Sequence, residues 1–202
     1  MNKIGLSAIL WAAWVVASFT APVSAFSQVA PEAHHGSPSF SIGAAASDFD
    51  VDWAQNRMEG FTIWGQWHPR PRGLLSGLGV DAEFRDIAFG RSYPLPSNFK
   101  QTTFAGGPIY TLRIFHDFQP YGKFLFGFGS SDFQIGDNSV YTHDTRAIYA
   151  PGGGFEYRLM RRLWVRADYE YQFWPDLFTG AKTLDPQGFT LGFSYDLKPG
   201  WR

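Results

Sequence analysis

The feature that most constrains this chain is an alternation of period two that recurs from Pro38 onward, in which one face of every segment is free of charge. Successive side chains of a β-strand point to opposite faces, so such a pattern specifies strands with one apolar and one polar side. Eight segments show it, at about 38–47, 58–67, 77–88, 102–113, 120–129, 146–157, 163–172 and 188–197, separated by clusters of Gly, Pro, Asn and Asp. The uncharged faces read Phe40, Ile42, Ala44 and Ala46 in the first segment, Phe124, Phe126 and Phe128 in the fifth, and Phe189, Leu191, Phe193, Tyr195 and Leu197 in the eighth. No segment between them carries a convincing helical period.

The ionisable groups lie on the opposite faces: Asp81, Glu83, Arg85, Arg113, Lys123, Arg146, Glu156, Arg158, Arg166, Asp168, Glu170 and Asp196. In a soluble sandwich or lipocalin-like carrier the apolar face points inward and the charges meet water. The composition favours the inverse arrangement. Twenty Phe, nine Tyr and eight Trp stand beside 22 Gly, and the acids and bases balance at 18 against 17. Eight strands enclose a space just wide enough for side chains to fill it, where balanced charges can satisfy one another. The outer face then suits acyl chains, which demand that the sheet close on itself and exclude charge. The expected fold is an all-β, eight-stranded antiparallel up-and-down transmembrane β-barrel whose lumen charges, Arg158 aside, form a network.

Links of uneven length fit that reading. The segments about 48–57, 89–101, 130–145 and 173–187 read as long polar loops, whereas 114–119 and 158–162 are short and HPRPRGLLSG is intermediate. Outer-membrane barrels alternate long outer loops with short periplasmic turns, and an even strand number returns both termini to the periplasm. Ahead of the strands, Lys3, the apolar run Ile4–Thr20 and the small residues Val23-Ser24-Ala25 read as a signal peptide, 1–25, cleaved after Ala25. Residues 26–37 read as a periplasmic linker, leaving 38–202 for the barrel. Near-neutral charge offers no footprint for nucleic acid, and without cysteine there is no thiolate metal site.

The stretch PGGGFEYRLMRRLWVRADYEYQFW at 151–174, with TLGFSYDL at 190–197 and PYGKFLFGFG at 120–129, resembles the outer-membrane β-barrel domain of OmpA-like and opacity-type surface proteins. The likeness covers roughly the last half of the chain. It implies a surface or envelope role, and it implies an assembly signal in the closing strand made of Thr190, Gly192, Tyr195 and Leu197, to be read by the barrel assembly machinery. Lys198 to Arg202 follow that strand, where the family habitually stops at its final aromatic. The peptidoglycan-binding domain of the longer relatives has no room here, so no cell-wall anchoring is expected.

Catalytic readings of the sequence are thin. His34 and His35 lie in the linker and His116 with Asp117 in a turn; a lipid A-modifying barrel enzyme needs nucleophile, base and orienter together, and His143 with Thr145 is the nearest pair, without a serine. The expectation is a non-enzymatic barrel with no cofactor, wetted by outer-membrane lipid, whose loops are the contact surface for an extracellular ligand. Tyr93, Phe133, Tyr141, Trp174 and Phe178 are the loop aromatics to test. Trp67, Tyr110, Tyr157, Tyr169, Tyr171 and Trp174 suit the aromatic girdles at the two interfaces. Trp64 and Trp164 fall on the lumen side, where each indole N–H needs a partner.

Overall fold

The computed structural model describes residues 38–50, 57–69, 73–89, 99–113, 117–134, 141–177 and 182–198. The proposed signal peptide, its cleavage at Ala25, the linker with His34 and His35, and His116, Tyr93 and Phe178 lie outside the described residues.

Eight antiparallel strands close into a barrel. They are β1 (Ser39–Asp50), β2 (Arg57–His68), β3 (Leu78–Phe89), β4 (Lys100–Thr111), β5 (Phe118–Gln134), β6 (Tyr141–Met160), β7 (Leu163–Tyr171) and β10 (Gln187–Lys198); two short strands, β8 (Trp174–Leu177) and β9 (Lys182–Leu184), form a separate hairpin. Neighbours in sequence pair with one another, and β1 pairs with both β2 and β10, so the ring has no open edge. Closure satisfies every strand's backbone groups from both sides, the condition for standing in hydrocarbon.

The register puts the two faces where the alternation predicts. Phe104, Phe126, Phe128, Phe189, Leu191 and Phe193 stand outward, Phe128 65 % exposed, whereas Asp81, Glu83, Arg85, Lys123, Glu156, Arg166, Asp168 and Glu170 are buried inside. This orientation excludes the lipocalin-like carrier, which needs the reverse. Trp67, Tyr110, Tyr157 and Tyr169 are exposed on the outer wall. The arginine pair Arg161-Arg162 makes the tight turn between β6 and β7.

Three expectations need correction. The loops read at 48–57 and 130–145 are shorter than expected: β1 and β2 run on to Asp50 and Arg57, and β5 and β6 to Gln134 and Tyr141. Polar residues there resemble loop chemistry, but above the hydrocarbon a strand can carry charge freely. The first link, 51–56, is therefore no longer than the second, which is not wholly irregular: Gly73–Gly77 forms a turn of 3-10 helix. The third correction concerns Trp174, which is neither girdle nor exposed loop aromatic but completely buried.

Candidate functional site

The interior is built mainly by three strands. Alternation places Asp81, Glu83 and Arg85 of β3, Tyr121 and Lys123 of β5, and Arg166, Asp168 and Glu170 of β7 on the inner wall. In the ring order β3 and β7 are diametrically opposite, with β5 midway between them. Arg85 donates through Nη1 to Glu170 Oε1 at 2.6 Å and through Nη2 to Glu83 Oε2 at 3.2 Å. Arg166 reaches back across the bore, its Nη2 lying 2.9 Å from both Asp81 Oδ2 and Glu83 Oε1. Lys123 bridges the two walls from the side, donating to Glu83 Oε1 and lying 2.9 Å from Asp168 Oδ2 and Glu170 Oε2. Charges removed from water need this mutual pairing to offset their desolvation.

Tyr121, absent from the charge pattern because it is neutral, belongs to the same assembly. Its hydroxyl donates to Asp168 Oδ2 at 2.9 Å and accepts from Arg166 Nε at 2.7 Å. Its place on the parity of Lys123 was the available signal. The remaining lumen candidates are placed as follows along the inner wall. Arg146 pairs with Asp144 at 3.0 Å and is partly exposed. Asp196 accepts the indole N–H of Trp164 at 3.0 Å, the partner that buried ring requires. Glu156 is buried opposite Arg166 on the neighbouring strand, and Arg113, just past the end of β4, is half-buried. Trp64 is inside too, but no acceptor reaches its Nε1 among the described residues. Its ring instead lies 4.7 Å from the Arg166 guanidinium and packs directly on Gly43, where a Cβ would come within 2.2 Å of the indole.

Towards the end away from Ser39 and Lys198 the inner wall turns apolar. Phe49, Met58, Ile87 and Phe99 form one cluster, and Ala105, Leu125, Ile148, Ala150 and Trp174 another. No set of three metal-ligating side chains occurs among the described residues.

A sequence model for the outer membrane protein beta-barrel domain matches residues 12–196. The chain belongs to that family. No curated protein matches the sequence significantly. Among solved structures, this outer-membrane barrel is similar to Neisserial surface protein A, with a TM-score of 0.62 at 14% identity, covering 79% of this chain and 98% of that one. Ail, the attachment invasion locus protein of Yersinia pestis, gives 0.54 at 21% identity over 81% and 99% of the two chains. The outer membrane protein OprG of Pseudomonas aeruginosa gives 0.52 at 15% identity over 82% and 98%. At such identities the likeness shows the fold.

The outer-membrane barrel is built up furthest at the end opposite Ser39 and Lys198. β5 and β6, at 17 and 20 residues, outrun the other barrel strands and stay paired to Gln134 and Tyr141. Beside them the β8–β9 hairpin is pinned inward by Trp174, whose indole donates to Gln172 Oε1 at 3.0 Å. Gln172 in turn donates to Glu170 Oε1 at 2.8 Å. Gly129 makes room for the ring, since a Cβ there would stand 2.0 Å from it. Thr145 lies on β6, whereas the side chain of His143, its expected companion, lies outside the described residues. Of the closing-strand residues, Thr190 is buried beside Ser47 at 3.1 Å and Gly192 packs on Ala45, while Tyr195 and Leu197 face outward.

Proposed function

We propose that this barrel is a non-enzymatic surface-interaction protein of the outer membrane, with both termini in the periplasm and the β5–β6 ribbon and its neighbouring loops as the contact surface outside the cell. The observation that carries this reading is the set of ion pairs that join opposite walls of the bore, Arg85 to Glu170 and Arg166 to Asp81 and Glu83, which favours the loop end as the place to meet a partner. Ail, which has been solved with the heparin analogue sucrose octasulfate, is a barrel of the same fold that takes a ligand. Thr190, Gly192, Tyr195 and Leu197 are proposed to serve as the recognition signal for the assembly machinery, with Ala25 as the cleavage point.

The test is to replace residues 131–144, the tip of the ribbon, with a short Gly-Ser linker. Adhesion of expressing cells to matrix or host surfaces should fall to background, while membrane abundance and the mobility shift on boiling stay as in the parent. Undiminished adhesion overturns the proposal. Unchanged lipid A mass spectra on deletion of the protein are expected as well, and altered spectra would favour the enzymatic alternative.

A further inference from the structure

The turn that joins β6 to β7 breaks the rule of the walls it connects. The pairing of the two strands shifts between Arg158 and Met160, where Leu159 is the extra residue of a bulge. Alternation is lost there, and Leu159 and Met160 both stand exposed, at 49% and 68%. The exposed pair Arg161-Arg162 follows at once. Asp196 N–H donates to the carbonyl of Arg162 at 2.9 Å, which ties the turn to β10, where Tyr195 and Leu197 also face outward. The outer wall of β6 therefore runs through Phe155, Tyr157, Leu159 and Met160 and ends directly on two guanidinium groups.

The acids near this turn are already engaged. Asp117 pairs with Arg158 at 3.7 Å, and the Arg158 guanidinium also lies 4.7 Å from the Trp164 ring. Asp196 is buried and accepts from the Trp164 indole. Arg161 and Arg162 have no ion pair among the described residues. Nor does the turn need them, since Arg-Arg offers a tight connection none of the backbone help that Gly or Asn would. The unburied arginines at this end, Arg113, Arg158, Arg161 and Arg162, face one unburied acid, Asp117, among the described residues. A guanidinium keeps its charge under all ordinary conditions, and its planar fork of donors matches the oxygens of a phosphate.

We propose that the Arg161-Arg162 turn is a docking site for an anionic phospholipid of the phosphatidylglycerol class in the periplasmic leaflet. This rests on the reading that both termini are periplasmic, which puts the turn at the leaflet built of phospholipid. The guanidinium groups donate to the phosphate oxygens, and Leu159 and Met160 lie against the acyl chains just beneath. Phosphatidylethanolamine brings the same phosphate together with an ammonium, which the two arginines repel. Basic clusters at the edge of a membrane-spanning wall favour lipids of net negative charge for this reason.

The experiment places the protein in phosphatidylcholine nanodiscs doped with equal amounts of phosphatidylglycerol and phosphatidylethanolamine and reads retained lipid by native mass spectrometry after gentle release. The parent should retain phosphatidylglycerol about fivefold over phosphatidylethanolamine, the scale of a good exposed ion pair. The double variant Arg161→Gln/Arg162→Gln should bring the two lipids to parity, with the mobility shift on boiling intact. Added glycerol 3-phosphate, a head without tails, should leave the preference as it is. Equal retention by the parent overturns the proposal, as does a preference that survives the double variant; loss of lipid to glycerol 3-phosphate would assign the turn to a soluble phosphate ester instead. Orientation is read separately with Arg162→Cys, the chain having no cysteine of its own. A maleimide too bulky to cross the outer membrane should label it only after that membrane is opened. Labelling of intact cells would overturn the periplasmic placement of the termini, whereas labelling only after opening, with equal lipid retention, would overturn the lipid site alone.

Discussion

Arg85 and Glu170, 85 positions apart in sequence, join opposite walls of the barrel, with Nη1 to Oε1 at 2.6 Å and Nη2 to Oε2 at 3.3 Å. This two-point contact fixes both side chains in a plane and crosses the full bore. Lys123 also approaches Glu170, and Gln172 donates to it, so the carboxylate is shared among three groups.

Arg85→Met should destabilise the barrel by about 3–5 kcal/mol, because it leaves Glu83 and Glu170 short of a buried cation. The double variant Arg85→Met/Glu170→Met should recover a substantial part of that loss by removing the stranded charge. Urea unfolding in lipid vesicles measures both. A double variant less stable than the single one would contradict the pairing.

Phe126, near the middle of β5 and 59% exposed on the outer wall, should be the worst place for a cation. Phe126→Arg is expected to cost about 2–4 kcal/mol and Glu59→Arg, close to the rim, about 0–1 kcal/mol. The same unfolding measurement separates them, and equal costs would mean that the apolar band does not sit in the bilayer as described.

Gly129→Leu should drive Trp174 out of its seat, since the indole already occupies the space a side chain would need. The hairpin it anchors should then be cut more readily by trypsin after Lys182, with the barrel still shifting on boiling. Trp174→Phe keeps a ring but loses the bond to Gln172, and should fall between parent and Gly129→Leu in cleavage rate. Cleavage unaffected by either change would show that the hairpin is held elsewhere.

Sequence reading succeeded where the alternation was strict. Every outward residue from Phe40 to Leu197 that the pattern assigned lies on the outer wall, because a slip of one residue would have turned a whole strand inside out. It failed at the strand ends, where Asp48, Asp50, Arg57 and Glu59 continue the pairing without continuing the hydropathy. It was also silent on the upper bore, where Phe49, Met58 and Ile87 are apolar on the inward parity that polar side chains such as Ser47, Thr62 and Arg85 hold lower down. Trp174 was misplaced for a different reason: its burial is decided by a hairpin folding back onto Gly129, a tertiary event that no local period encodes. Within the charge cluster parity put the charged members on the inner wall but passed over the neutral Tyr121, and it named no partners, since Arg85 could face any acid until the ring order set β3 against β7.

The wall-to-wall contacts bear on how the ring comes to shut. In an unrolled sheet β3 and β7 would stand roughly 19 Å apart, at about 4.8 Å per strand, so Arg85 could not touch Glu170. Bringing β1 onto β10 is what brings them together, and a seam joined one notch out of line would leave cations and carboxylates facing the wrong neighbours in a dry space. The bundle of charges thereby acts as a proofreading device for circularisation, rewarding the correct seam and penalising its near misses.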